Sequence, residues 1–228
     1  MNMIGNGGMN GVGGRYNNNA LVSFGNDQEL FAIDMGFTYL QAMYEAAIPL
    51  TNVKYGFITH LDSDHVMGLT AFAQGTYWTF TDKGHQPHRL QLFVMPELEK
   101  GIRSILAPVL EAQGLGIEDY IEIRLIENHS FTIENHTISV LDTSNLHCND
   151  LISFALQITD NNTGENIIYS SDIKTLEPSG LKEAINKYTL AIYQDVSFPT
   201  NPVHAGFEEI VHYYPSTAHS LLQLMHLP

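Results

Sequence analysis

Residues 59–69 read THLDSDHVMGL and place two histidines and two aspartates, His60, Asp62, Asp64 and His65, within six positions. Residues 55–59 before them are aromatic, apolar and β-branched, which predicts a short buried strand. Residues 66–69 after them can open a helix. The four polar side chains then lie on a turn at the end of a strand, where imidazole nitrogens and carboxylate oxygens can converge on a divalent metal. The alternative is a polar loop whose histidines cap a helix. Two histidines and two aspartates within six positions make this alternative the weaker one.

This run resembles the H-x-H-x-D-H signature of the metallo-β-lactamase superfamily, with Asp62 where the second histidine is usual. The superfamily's other motifs have counterparts in the expected order, so the resemblance covers residues 4–228. The counterparts are Asp34 in LFAIDMG, His147 in NLH, Asp172 at the end of IIYSSD, and His226 in LMH.

The resemblance implies an α/β (α+β) fold, a four-layer αββα sandwich in which two β-sheets lie between helices. It implies a single hydrolase domain over residues 1–228. Periodicity alone predicts only mixed α and β, with helices over residues 38–47 (Thr38 as N-cap), 96–106, 181–188 and 206–213. Strands are predicted at 20–24, 30–33, 90–94, 120–125, 130–133, 136–141, 152–158, 166–169, 190–193 and 221–225.

The resemblance also implies two divalent metal ions, which can activate a water molecule as a nucleophile at neutral pH. Zinc is the expected metal, and the extra carboxylate of Asp62 makes manganese or iron candidates as well. Asp34 is expected to fix a ligand loop by hydrogen bonds. The implied ligands are His60, Asp62 and His147 for one ion, Asp64, His65 and His226 for the other, and Asp172 as the bridge.

Two further residues resemble the phosphodiesterase branch of the superfamily, which includes tRNase Z. In that branch a strand ends in His-Glu-Ala-Thr, and its glutamate supports a catalytic histidine further along. Here residues 192–197, IYQDVS, carry Gln194 and Asp195 in those places, and His204 follows in VHAGFE. The resemblance implies that His204 protonates the leaving group, that Asp195 orients it, and that Asp64 belongs with the catalytic residues. A helix cap at Asp195 and a surface histidine at His204 are the alternatives.

The charge of the chain limits its substrates. A net charge of −15 with 10 lysines and arginines argues against a large nucleic acid, because such partners are bound mainly through cationic side chains. Residues 148–171 also leave no room for the long arm with which tRNase Z grips tRNA. The resemblance therefore points to armless relatives such as the phage-borne anti-Pycsar nucleases, which open cyclic nucleotide monophosphates to evade anti-phage defence. A carboxylic ester, thioester or lactone hydrolase, and a non-catalytic metal-binding protein, remain alternatives.

Composition predicts a cytoplasmic protein that does not contact a membrane. No apolar stretch reaches the ~20 residues that span a bilayer, the N-terminus lacks a signal-peptide core, and Cys148 is the only cysteine. The resemblance implies a homodimer. The aromatic segment 77–88, with His85 and His88, is either a packed loop or a wall of the substrate site. The remaining histidines are predicted to be packed or on the surface: His129, His136, His212 and His219.

Overall fold

The computed structural model describes residues 2–3, 16–25, 29–81, 84–112 and 114–226. The chain forms two compact units, Met1–Ile126 and Glu127–Pro228. The turn between the strands predicted at residues 20–24 and 30–33 lies mostly outside the described residues, as does most of the segment 1–15. In the part that is described, no helix combines the length and apolar character needed to cross a membrane.

The first unit contains a six-stranded sheet in the order β1-β2-β3-β4-β5-β6. Its strands are β1 Asn2–Met3, β2 Ala20–Ser23, β3 Leu30–Ile33, β4 Val53–Phe57, β5 Leu90–Val94 and β6 Ile121–Leu125. From β3 to β6 each strand pairs in parallel with the next. Parallel strands present their carboxyl ends at one edge of the sheet. The segments that follow β3 and β4, which carry Asp34 and His60, therefore emerge at the same edge.

The helices of the first unit are α1 Tyr39–Glu45, α2 Ser63–Val66, α3 Leu69–Thr81, α4 Pro96–Leu110 and α5 Ile117–Tyr120. Helix α4 was predicted to end before Pro108, but it continues two residues past it. A proline inside a helix removes one backbone hydrogen bond. The apolar stripe at every fourth position extends to Leu110, which is fully buried, and this packing maintains the last turn.

The second unit contains a six-stranded sheet in the order β12-β11-β10-β9-β8-β7. Its elements are β7 Ser130–Ile133, β8 His136–Asp142, β9 Phe154–Asp160, β10 Asn166–Tyr169, β11 Thr189–Asp195, α6 Phe207–Tyr213 and β12 Leu222–Met225. Strands β7 to β10 are antiparallel neighbours, whereas β10, β11 and β12 run parallel. The carboxyl ends of these last three strands therefore meet at one edge. Ile210 of helix α6 belongs to the same buried hydrophobic cluster as Ile168 and Ile192 of the strands.

Two sequence-based predictions of helix are wrong in detail. Residues 181–188 form turns and no helix, because the side chain of Asn186 accepts the backbone N–H of Tyr188 at 2.9 Å and diverts it from helical bonding. Thr38 precedes α1 but does not cap it with its side chain. Its hydroxyl group instead donates to Asn17 Oδ1 at 2.8 Å.

The aromatic segment 77–88 begins in a helix. Residues 77–81 form the last part of α3, which sequence patterns did not predict, and His85 is exposed beyond it. His88 is buried, its Nε2 donates to the carbonyl oxygen of Val53 at 2.7 Å, and its ring stacks on Phe80. For His88, a packed loop is therefore a better interpretation than a wall of the substrate site.

We expect neutral His88 to make stability depend on pH. Burial lowers the pKa of His88, against a smaller opposing effect of its hydrogen bond to Val53. Below about pH 6.5 the unfolded chain takes up a proton at this histidine that the folded protein does not. The free energy of unfolding should therefore fall as pH falls through that range, and part of this dependence should disappear in His88→Gln. Denaturant titrations of both proteins from pH 8 to pH 5 measure it. Identical pH slopes in the two proteins would contradict this account.

Candidate metal centre

The ligand run of the first unit follows the carboxyl end of β4. His60 and Asp62 lie in the segment after the strand, and Asp64 and His65 lie in α2. The rings of His60 and His65 are 4.0 Å apart between centroids. His60 Nε2 lies 3.7 Å from Asp62 Oδ2, and His65 Nε2 lies 3.7 Å from Asp64 Oδ2. All four predicted ligands of this unit are thus brought together, with both Nε2 atoms facing carboxylate oxygens.

One buried carboxylate, that of Asp34, organises this run. Its Oδ1 accepts the backbone N–H of Thr59 at 2.7 Å, and its Oδ2 accepts the Thr59 hydroxyl at 2.8 Å. The same Oδ2 lies 2.8 Å from Nδ1 of His65. Burial raises the pKa of the Asp34 carboxyl, while the neighbouring His65 and the hydrogen bonds from Thr59 oppose that rise. The prediction that Asp34 fixes a ligand loop by hydrogen bonds agrees with this geometry.

These contacts determine which ring nitrogen of each histidine carries the proton. A carboxylate only accepts, so His65 donates from Nδ1 to Asp34. The single hydroxyl proton of Thr59 points to Asp34, so Thr59 Oγ1 accepts from Nδ1 of His60 at 2.9 Å. In both neutral rings the lone pair is then on Nε2, the atom that faces a carboxylate. This is the tautomer that a metal-binding histidine needs.

The backbone around Asp34 is held by residues that the sequence analysis did not identify. Asn19 Oδ1 accepts the N–H of Gly36 at 2.8 Å, and Asn17 Oδ1 accepts the N–H of Thr38 at 3.0 Å. A side chain at Gly36 would collide with the backbone carbonyl group of Asp64, so only glycine permits this approach. The run of three consecutive asparagines at residues 17–19, all fully buried, is the sequence signal that could have indicated this role.

In the second unit, Asp172 lies between two histidines. Its Oδ2 is 3.2 Å from Nε2 of His226 and 3.9 Å from Nε2 of His147. His147 Nδ1 donates to the carbonyl oxygen of Val203 at 2.7 Å, which leaves the lone pair of the neutral ring on Nε2. Asp172 and His226 follow the parallel strands β10 and β12, and His147 lies in the segment between β8 and β9. The unit therefore brings its three predicted ligands together around one carboxylate.

Asp195, at the end of β11, is the second buried carboxylate. Its Oδ2 accepts the backbone N–H of Ile173 at 2.8 Å and lies 2.8 Å from Nδ1 of His204. Its Oδ1 lies 3.6 Å from Nδ1 of His226. The ring of His204 is 4.4 Å from that of His226 and 4.9 Å from that of His147. The helix-cap and surface-loop alternatives do not fit these contacts.

The surroundings of Asp195 act in opposite directions on the pKa of its carboxyl group. Burial raises the pKa of the Asp195 carboxyl, and the hydrogen bond from His204 opposes this rise. Gln194, which stands where the phosphodiesterase branch has histidine, is fully buried and accepts the hydroxyl of Tyr214 at 2.7 Å. Gln194 Nε2 also donates to the backbone carbonyl oxygen of Asp195 at 2.9 Å, so this side chain stabilises the end of the strand.

Three residues of the site share an unusual backbone conformation. Asp34, Ser171 and His226 have φ of 63°, 56° and 59°, the left-handed region that side chains other than glycine rarely adopt. Each lies one or two residues after the end of a parallel strand. Such backbone strain is concentrated at functional sites in proteins, and here it coincides with the ligand-bearing turns.

Asp62 occupies the N-cap position of α2 but makes no capping hydrogen bond with its side chain. Its carboxylate faces His60 and is 36% exposed. The donors of both units are imidazole nitrogens and carboxylate oxygens, a set that suits zinc, manganese and iron alike. His212 and His219 bond to backbone carbonyl groups, as expected for histidines outside a metal site.

The anti-Pycsar protein Apyc1 family model matches residues 1–228. The chain is 28% identical over 219 residues to Apyc1 of Bacillus phage BSP38, covering 92% of this chain and 82% of the phage protein. It is 28% identical over 216 residues to Apyc1 of Paenibacillus xerothermodurans, covering 92% of this chain and 81% of that protein.

Among solved structures, the metallo-β-lactamase fold protein YhfI from Bacillus subtilis is similar with a TM-score of 0.76 and 17% identity, covering 99% of this chain and 85% of YhfI. The short form of human tRNase Z is similar with a TM-score of 0.72 and 14% identity, covering 99% of this chain and 91% of that enzyme. The predicted metallo-β-lactamase fold is thereby confirmed. Because the family model matches from the first residue to the last, the chain belongs to the anti-Pycsar Apyc1 family.

Proposed function

We propose that this metal-dependent phosphodiesterase hydrolyses 3′,5′-cyclic nucleotide monophosphates. The observation that carries the proposal is the Asp195–His204 pair, joined at 2.8 Å and placed beside the metal-type histidines His147 and His226. Membership of the anti-Pycsar family supports the same substrate class. Opening a cyclic phosphodiester expels an alkoxide, and a histidine held beside the phosphate can protonate it.

We propose as metal ligands the residues that the superfamily resemblance implies. Two divalent ions, when bound, lower the pKa of a water molecule and offset the negative charge of phosphoryl oxygens. Zinc is the proposed metal, with manganese or iron as alternatives favoured by the carboxylate of Asp62. The proposed ligands are His60, Asp62 and His147 for one ion, Asp64, His65 and His226 for the other, and Asp172 for both.

The protein's own groups have three tasks in this reaction. The Asp34 carboxylate keeps the rings of His60 and His65 in the ligand tautomer. The Asp195 carboxylate holds Nδ1 of His204, so Nε2 is the atom that delivers the proton to the leaving oxygen. His204 is not among the proposed ligands, so its loss should change proton delivery and leave the ligand set intact.

The charge of the chain supports a small substrate. A net charge of −15 disfavours long polyanions, so we propose a small phosphodiester and no large nucleic acid. A homodimer, a cytoplasmic location and the absence of membrane contact are proposed with it. An ester, thioester or lactone hydrolase would leave the Asp195–His204 pair without a task, and a non-catalytic metal-binding protein would leave it equally unexplained.

We expect about two divalent ions per chain after reconstitution. Asp172→Ala should lower the occupancy of both ions, because this carboxylate faces both His147 and His226. Chelation should lower the melting temperature, since ligand carboxylates repel one another without cations. Elemental analysis and thermal denaturation measure these effects, with exposed Glu183→Ala as the control. Wild-type protein that binds no metal would refute the ligand assignment.

Replacing Asp62 with histidine and with alanine should have different effects on metal binding. If its carboxylate binds metal, Asp62→His should preserve hydrolysis and shift metal preference toward zinc, because imidazole is the softer ligand. Asp62→Ala should lower the metal content. Competition between zinc and manganese, followed by elemental analysis, is the measurement. An Asp62→Ala protein with wild-type metal content and rate would remove Asp62 from the ligand set and leave the fold unaffected.

Replacing His204 should slow substrates according to their leaving group. General acid catalysis contributes roughly 10²–10⁴-fold when the leaving group is an alkoxide, whereas nitrophenolate leaves readily without help. His204→Ala should therefore slow a cyclic nucleotide far more than bis-p-nitrophenyl phosphate, with unchanged metal content. Asp195→Ala should show the same pattern more weakly.

The matched control is His212→Ala, which removes an exposed histidine of α6 that bonds only to a backbone carbonyl group. Equal losses on both substrates in His204→Ala would show that His204 binds the phosphate and does not protonate it. No loss on either substrate would contradict the assignment of this residue to the active site.

A further inference from the structure

A cavity of about 450 Å³ lies in the second unit beside the loop that carries His204. Its walls are the segment after β11, residues 197–201, and the start of α6, residues 206–209, with Lys174 between them. This volume is within the range of small-molecule sites, about 300–1,000 Å³. None of the residues that line it has a task in the hydrolysis described above.

Two phenylalanines form an aromatic surface in this cavity. Phe198 is 60% exposed and Phe207 is 44% exposed. Their rings are stacked, with centroids 6.0 Å apart and planes inclined by 28°. Single exposed apolar residues are common on proteins, but a stacked pair that lines a cavity offers a flat apolar face. Nucleobases stack on such faces without requiring particular hydrogen bonds.

The cavity is within reach of the catalytic groups of its own unit. Lys174 is two residues from Asp172, and Gly206 is two residues from His204, so the chain can separate each pair by at most about 7 Å. Asn201, another lining residue, accepts the backbone N–H groups of Val203 at 2.9 Å and His204 at 3.2 Å. The loop that bears the aromatic surface is thereby tied to the loop that bears His204.

The charges in the cavity favour an uncharged ligand group. The Lys174 ammonium group is paired with Glu209 Oε2 at 2.8 Å, and the same oxygen accepts the N–H of Gly206. Glu208 adds a further carboxylate to the lining. The lining has more negative than positive charge, so it would repel a second phosphate group. The neutral ring of a base would not be repelled. The position of the cavity, its aromatic face and its charge all suit the base end of a nucleotide.

We propose that Phe198 and Phe207 form the nucleobase subsite of this enzyme, on which the base of the cyclic nucleotide stacks while its phosphate lies at Asp172 and His204. This inference rests on the proposed function. Because stacking is tolerant of sequence, the subsite accepts both purines and pyrimidines, with purines favoured by their larger face.

The test compares cyclic AMP and cyclic UMP with the 3′,5′-cyclic phosphate of methyl riboside, which has the same phosphodiester and no base. In wild-type metal-loaded protein, kcat/KM should be higher for the nucleotides. In Phe198→Ala and Phe207→Ala this preference should fall roughly 5- to 100-fold, the range expected from base–aromatic stacking. The loss should appear mainly in KM, since the stack is made equally in the ground and transition states.

Two further variants separate stacking from general damage. Phe198→Tyr keeps the flat ring and should retain the preference, whereas Phe198→Leu keeps only the apolar character and should lose it. Tyr188→Ala removes an aromatic residue that is 47% exposed outside the cavity and should retain the preference.

The outcomes distinguish this inference from the function on which it rests. A wild-type protein that hydrolyses the nucleotides and the base-free analogue equally well would overturn the subsite and leave the phosphodiesterase assignment standing. An unchanged preference for nucleotides in both Phe198→Ala and Phe207→Ala would also overturn the subsite and leave the phosphodiesterase assignment standing. A metal-loaded protein that opens none of the cyclic phosphates would overturn the proposed function and the subsite together.

Discussion

The buried carboxylate of Asp34 is the constraint on which the ligand run depends. A charged group with no exposure to solvent persists only where hydrogen bonds satisfy its oxygens, and here Thr59 and His65 provide them. The same bonds fix the position and the tautomer of the histidines that follow β4. Asp195 has the corresponding task in the second unit, where it holds Ile173 and His204. Each carboxylate follows or ends a parallel strand, so a rigid element determines its position.

The parallel strands explain how residues distant in sequence reach one sheet edge within each unit. In the first unit the segments after the parallel strands β3 and β4 carry Asp34 and His60. In the second unit Asp195 ends β11, and the segments after β10 and β12 carry Asp172 and His226. These turns are tight, and three residues in them adopt positive φ. Buried networks of this kind are costly when a single member is removed. We therefore expect both carboxylates to matter for folding, and Asp34 to matter for metal binding as well.

Much of this arrangement could be predicted from the sequence, because the ligand motifs are short and lie at strand ends. The family, the metallo-β-lactamase fold and a metal-dependent phosphodiesterase were all predicted and are confirmed. Local chemistry was harder to predict. Asn186 diverts a helical pattern into turns, and the buried stripe of α4 overrides Pro108. Asn17 and Asn19 act on Gly36 and Thr38 through contacts far apart in sequence, which no local pattern reveals. The sequence left open whether His88 lies in a packed loop or in a substrate site; the residue is packed and bonds to the carbonyl oxygen of Val53.

We expect hydrogen-bond acceptors to fix Nδ1–H in His60, His65 and His147 and to leave Nε2 to the metal. Nitrogen-15 NMR of the histidine rings in the zinc-loaded protein tests it most directly, because proton-bearing and metal-bound ring nitrogens have distinct shifts. We expect the nitrogen-15 signals of His60, His65 and His147 to show a proton on Nδ1 and a metal-induced shift of Nε2. We further expect Asp34→Asn to disturb His60 and His65 and to leave His147 unchanged. Signals showing protonated Nε2 in these rings of the zinc-loaded wild-type protein would contradict the account.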